Sequence, residues 1–74
     1  MLVKKLQIGI IGAGYMSNEY LKVISKNKDI ECSAIFSRTI QKSEILKKKY
    51  KIKKVFISID NLILSNKLDG LIVA

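Results

Sequence analysis

At 74 residues the chain is about half of an ordinary domain of ~100–150 residues, so a two-domain enzyme with its own substrate pocket is excluded within this stretch. Apolar residues at 49% and charged residues at 27% exclude disorder and collagen-like order. With no His, one Cys (Cys32) and six acidic residues, a structural zinc site and Ser-His-Asp or Cys-His catalysis are excluded as well. The formal charge of +8 raises the question of a nucleic-acid or anionic-membrane partner. All but Arg38 of the 14 basic residues are Lys, without the Arg forks and interleaved aromatics of nucleic-acid readers, so no nucleic-acid partner is expected. The lone Cys has no pair to close, which points to the cytoplasm. Met1 to Lys5 followed by the apolar run Leu6 to Met16 imitates a secretory signal, but Gln7 and three glycines interrupt the run and no small-x-small cleavage pattern follows. No apolar stretch reaches the ~18–20 residues of a membrane span, so no membrane partner is expected.

In chain order, Lys5 to Ile11 is a nearly continuous apolar run, the pattern of a strand buried on both faces, and it ends in Gly12-Ala13-Gly14. From Tyr15 to Lys26, Met16, Tyr20, Val23 and Ile24 fall at i, i+4, i+7 and i+8, which predicts a helix with that stripe inward. Ile30 to Ser37 predicts a second strand in which Cys32 is a small buried hydrophobe rather than a nucleophile. Thr39 to Tyr50 predicts a second helix capped by Thr39, with Leu46 and Tyr50 inward and a Lys-rich last turn suited to the helix dipole. A brief strand at Lys54 to Ile57 follows, then a short helix capped by Ser58 with Ile59, Leu62 and Ile63 inward, then a fourth strand from Leu68 to Ala74.

Seven alternating strands and helices predict an α/β fold, a Rossmann-like doubly wound parallel sheet (β-α-β-α-β-α-β) with right-handed crossovers. One sheet flank is left without a covering helix. The expectation is therefore the N-terminal part of one such α/β domain spanning residues 1–74, incomplete at its C-terminus, with the remainder of the protein elsewhere.

The chemistry concentrates at the first turn, where a strand runs into Gly12-Ala13-Gly14-Tyr15-Met16-Ser17, a G-x-G-x-x-S pattern that opens a helix. Gly12 permits the tight turn, Gly14 lets backbone approach a pyrophosphate, and the small Ser17 lets helix and strand pack closely. The helix N-terminus then offers N–H groups and partial positive charge to phosphates. At the end of the second strand, where an acid would hold a ribose 2′-OH, the chain reads Phe36-Ser37-Arg38-Thr39. A guanidinium beside a hydroxyl suits a 2′-phosphate, so NADP is the expected cofactor, with NAD possible. Topology puts Arg38, Thr39 and Lys42 at the ligand-bearing carboxyl edge of the sheet and Lys47, Lys48, Lys49, Lys51, Lys53 and Lys54 at the opposite edge, as a solvated face.

With these residues in view, the chain resembles the glucose-fructose oxidoreductase/inositol dehydrogenase family, Gfo/Idh/MocA. The likeness rests on Ile8 to Met16, on Ala34-Ile35-Phe36-Ser37-Arg38-Thr39, on Lys49-Tyr50 and on Leu68 to Ala74. The resemblance implies an NAD(P)-dependent oxidoreductase moving hydride between nicotinamide and a sugar, cyclitol or related hydroxyl/carbonyl compound, homo-oligomeric as a full-length protein. It further implies that Gly12, Gly14, Tyr15 and Met16 border the pyrophosphate, that Ser37 and Arg38 border the adenosine ribose with Thr39 beside them as a further cofactor-binding residue, and that Val73 and Ala74 lie on the nicotinamide side. Ser17 stands where Gly or Ala is commoner. The family's Glu-Lys-Pro segment and downstream His have no counterpart in these 74 residues, so no catalytic residue is carried over. The alternative is a non-catalytic dinucleotide-sensing or protein-interaction module. A Lys-Pro soon after the fourth strand, followed by a mixed α/β domain with a His, would favour the enzyme.

Overall fold

The computed structural model describes residues 5–65 and 68–74; of the signal-like segment, residues 1–4 lie outside the described residues. The chain alternates β1 (Leu6–Ile11), α1 (Tyr15–Ser25), β2 (Ile30–Phe36), α2 (Ile40–Tyr50), β3 (Lys54–Phe56), α3 (Ile59–Ser65) and β4 (Gly70–Val73). Expected and observed boundaries differ by a residue or two, as element ends commonly do. β4 starts later than expected because Leu68 leaves the strand line to pack against Ala34, Phe56 and Leu62, while the Asp69 N–H is held by the Gln7 carbonyl at 2.7 Å. Among the described residues no helix is long and apolar enough to cross a membrane.

The four strands form one sheet in the order β3-β2-β1-β4, with every pairing parallel. This is the expected α/β architecture, a Rossmann-like doubly wound sheet. Helices α1 and α2 cover one face, where Leu21, Ile24 and Leu46 meet Ile10, Cys32 and Ile35. Helix α3 covers the other, where Leu62 meets Ala34 and Phe56. Complete burial of Ile10, Leu21, Ile35 and Leu62 removes ~1.5–3 kcal/mol worth of apolar surface from water at each position. On the α3 face, Gly9 leaves room for leucine tips, since a Cβ there would stand 2.8 Å from Leu68 Cδ1 and 2.9 Å from Leu71 Cδ2.

Two expected stripes are displaced. In α1 Ile24 is buried as expected, but its buried companions are Ser17 and Leu21, while Met16, Tyr20 and Val23 are exposed. The small Ser17 can sit against the glycine turn where a larger side chain cannot, and this rotates the apolar stripe outward. In α3 Leu62 is buried, whereas Ile59 and Ile63 are exposed, because a seven-residue helix lays one turn on the sheet. The register also slips between β1 and β2: Ile8 faces Cys32 and Gly9 faces Ala34, so Ser33 is an extra residue, a β-bulge with no sequence signal. Cys32 is a buried hydrophobe as expected, and burial pushes its thiol up from 9.0 to about 11.

The lysines divide as the topology requires. Lys49 and Lys51 line a cavity at the strands' amino edge together with Lys5, Asn27 and Ile30. There Lys53 meets Glu31 at 3.6 Å, and a hydrogen bond from Gln7 Nε2 holds the Glu31 carboxyl below the usual range. Lys51 ends α2 in the left-handed conformation at φ 57°.

Candidate functional site

At the carboxyl edge the chain leaves β1 through Gly12, whose φ of +122° is open to glycine and strained for any L side chain. The Gly12 N–H donates to the Phe36 carbonyl at 2.6 Å, and the Ala74 N–H donates to the Ile11 carbonyl at 2.9 Å. The turn is thus clamped between β2 and the end of β4. A Cβ on Gly12 would come within 2.5 Å of the Ala74 carbonyl oxygen and 3.3 Å of Ser17 Oγ. Ser17 is 1% exposed and its hydroxyl has no hydrogen-bond partner among the described residues.

Gly14 differs in kind. As the residue before α1 it has φ −89°, open to any residue, and a Cβ there would meet nothing within 4 Å. What glycine provides here is open space over the helix N-terminus. Helix α1 begins with no side-chain cap and no acid in its first turn, so its free N–H groups and positive dipole end face that space uncompensated.

The second half of the edge is the β2–α2 turn. Helix α2 also begins with no acid in its first turn and no side-chain cap; Thr39 occupies the N-cap position as expected but leaves its hydroxyl free of the backbone. The Thr39 carbonyl instead accepts from the Lys42 N–H at 3.1 Å, the Ser43 N–H at 3.3 Å and Ser37 Oγ at 2.6 Å. Ser37 Oγ is also 2.6 Å from Ser43 Oγ. Ser37 Oγ thus has two partners inside the protein, the Thr39 carbonyl, which can only accept, and Ser43 Oγ. Arg38 is exposed and makes no ion pair among the described residues.

Both turns open into one cavity of about 420 Å³ lined by the Ile11–Gly14 turn, the Phe36–Thr39 turn, Lys42, Ile59 and Ala74. It therefore gathers Gly12, Gly14, Ser37, Arg38, Thr39 and Ala74 from the sequence-predicted set, with two cations and, among the described residues, no acid on its walls. Tyr15 at 75% exposure, Met16 at 49% and Val73 at 76% stand outside the lining. Tyr15 and Met16 contribute the first turn of α1 rather than side-chain walls, and Val73 pairs with Ile11 on the edge strand. Of the lining residues outside the predicted set, Ile11, Ala13, Phe36 and Lys42 belong to or follow the two turns already singled out, whereas Ile59 comes from a segment that sequence reasoning did not place at the site. It reaches the cavity because the crossover through α3 starts at this edge, and no local motif signals it.

A twisted parallel sheet wound on both faces, with a glycine turn feeding an uncapped helix at its carboxyl edge, is the framework of the dinucleotide-binding Rossmann domains. The described residues fit such a ligand: the space over Gly14 is clear, and two helix N-termini and two cations face it. Residues 6–74 match the family model described as the oxidoreductase family GFO_IDH_MocA, NAD-binding Rossmann fold. The chain belongs to this family.

Solved structures agree on the fold. Scyllo-inositol dehydrogenase from Lactobacillus casei with bound NAD(H) and scyllo-inositol superposes with a TM-score of 0.86 at 22% identity over 96% of this chain and 21% of that one. GenD2 from gentamicin A biosynthesis, in complex with NAD, gives 0.88 at 16% identity over 100% and 21%. An oxidoreductase from Thermotoga maritima gives 0.76 at 30% identity over 92% and 22%. The chain thus spans about a fifth of the length of these structures. No curated protein matches the chain.

Proposed function

We propose that the intact protein is a cytoplasmic NAD(P)-dependent oxidoreductase acting on a sugar, cyclitol or related hydroxyl/carbonyl compound, and that it prefers NADP. The dehydrogenase names among its structural neighbours, one of them solved with scyllo-inositol, support the substrate class. The nicotinamide, when bound, would give or take the hydride. This chain's residues bind and orient. Gly12 and Gly14 clear a path for the pyrophosphate, and the α1 N-terminus, opening at Tyr15 and Met16, faces its charge. Val73 and Ala74 border the nicotinamide side.

The observation that carries the NADP preference is the wall at the β2–α2 turn. Arg38 and Lys42, with no ion pair among the described residues, meet the uncompensated N-terminus of α2 there, and no carboxylate side chain of the described residues lines that wall. An acid in that place would repel a 2′-phosphate, whereas a guanidinium makes charge-assisted bonds to one. Ser37, already donating to Thr39, takes part as an acceptor for a ribose hydroxyl.

Titrating NADPH and NADH against wild type and Arg38→Ala tests this. A lost charged contact of ~1.5–3 kcal/mol weakens NADPH by about ten- to hundred-fold and leaves NADH nearly unchanged. Equal effects on the two cofactors refute the NADP assignment.

A further inference from the structure

Ser43 lies on the inner face of α2, 0% exposed, and belongs to no glycine turn or charged wall. A fully buried hydroxyl in a helix needs a partner, and a helical Ser ordinarily finds one in the carbonyl four residues back. Here that carbonyl belongs to Thr39 and already accepts the Ser37 hydroxyl at 2.6 Å together with two backbone N–H groups. Ser43 Oγ bonds instead to Ser37 Oγ, 2.6 Å away.

The direction of this relay follows from valence. A carbonyl only accepts, so the single proton of Ser37 points at Thr39, and Ser43 must donate to Ser37. One lone pair of Ser37 is then left over, and Ser37 lines the cavity. It can meet a ligand only as an acceptor, which suits a ribose hydroxyl and not a phosphoryl oxygen. The same two bonds pin the residues on either side of Arg38, which they leave projecting between fixed neighbours.

We propose that Ser43 is a positioning residue for the adenosine end of the dinucleotide, acting through Ser37. The proposal rests on the dinucleotide reading above and adds to it a residue that touches no ligand. An Ala would fill the same helical position with better propensity, so packing alone does not account for the hydroxyl.

A double-mutant cycle in the intact protein tests it, with Ser37→Ala, Ser43→Ala and the pair titrated against NADPH, NADH, 2′-phospho-ADP and nicotinamide mononucleotide. The loss of one neutral hydrogen bond predicts about five-fold weaker binding of the three adenosine ligands in Ser43→Ala, with nicotinamide mononucleotide unchanged. Once Ser37 is gone, Ser43→Ala should add nothing. Additive losses, or equal weakening of nicotinamide mononucleotide, overturn the proposal and leave Ser43 a packing residue. If Ser43→Ala does not fold, Ser43→Cys, close in size and a weak donor, carries the same cycle. Arg38→Ala separates the two ideas. It acts on NADPH alone if the NADP reading holds, whereas Ser43 acts on NADH and NADPH alike.

Discussion

The two glycines of the first turn should respond to a methyl group in opposite ways. Gly14 has ordinary φ and empty space where a Cβ would stand, so Gly14→Ala leaves the fold intact and gains ~0.4–1 kcal/mol by restricting the unfolded chain. Gly14 lines the cavity, so a methyl there would stand on the cavity wall and hold a pyrophosphate away from the α1 N-terminus. Losing one charged hydrogen bond at ~1.5–3 kcal/mol lowers dinucleotide affinity about ten- to hundred-fold. At Gly12 the methyl meets the Ala74 carbonyl oxygen at 2.5 Å, and the turn cannot retreat because its N–H is held by Phe36. A strained φ costs ~1–3 kcal/mol and overpacking another ~1–3 kcal/mol, so Gly12→Ala loses ~2–6 kcal/mol of stability. Denaturant unfolding without ligand and calorimetric titration with NADH and NADPH, run on both variants, separate the effects. A Gly14→Ala protein that binds dinucleotide as tightly as wild type would refute the close approach, and an undisturbed Gly12→Ala fold would refute the clamp.

Two further outcomes follow from buried groups. Cys32 has its thiol raised in the folded state, so its stabilising contribution is complete below its ordinary value of 9.0 and is lost as pH climbs through about 11. Unfolding free energy should therefore fall between these limits by up to ~2–3 kcal/mol more in wild type than in Cys32→Ala, and parallel pH profiles for the two would contradict it. Ser17 buries a hydroxyl without a hydrogen-bond partner among the described residues, so Ser17→Ala should be neutral or stabilise by about 1 kcal/mol in thermal unfolding, whereas Ser17→Val should wedge α1 off the turn and cost ~1–3 kcal/mol. Loss of stability in Ser17→Ala would mean that the hydroxyl is satisfied by an ordered water.

The succession of strands and helices, the glycine turn and the sorting of lysines to the far edge were all legible in the residues. Each depends on short-range facts: a period of two or near four, a glycine that admits positive φ, and the parallel-sheet rule for where helices begin. Which face of α1 is inward was not legible. Met16, Tyr20, Val23 and Ile24 make as good a stripe as Ser17, Leu21 and Ile24, and only the small gap beside Gly12 chooses between them. The bulge at Ser33 and the arrival of Ile59 at the cavity likewise depend on how separate segments meet. The sharpest difference is at Ser37. Its position at the end of β2 marks it for a ligand, but whether its hydroxyl gives or receives a proton is decided by Thr39 and Ser43, brought up by the first turn of α2. A side chain's type is a property of the sequence; its remaining hydrogen-bond capacity is what is left after its neighbours in space have taken their share.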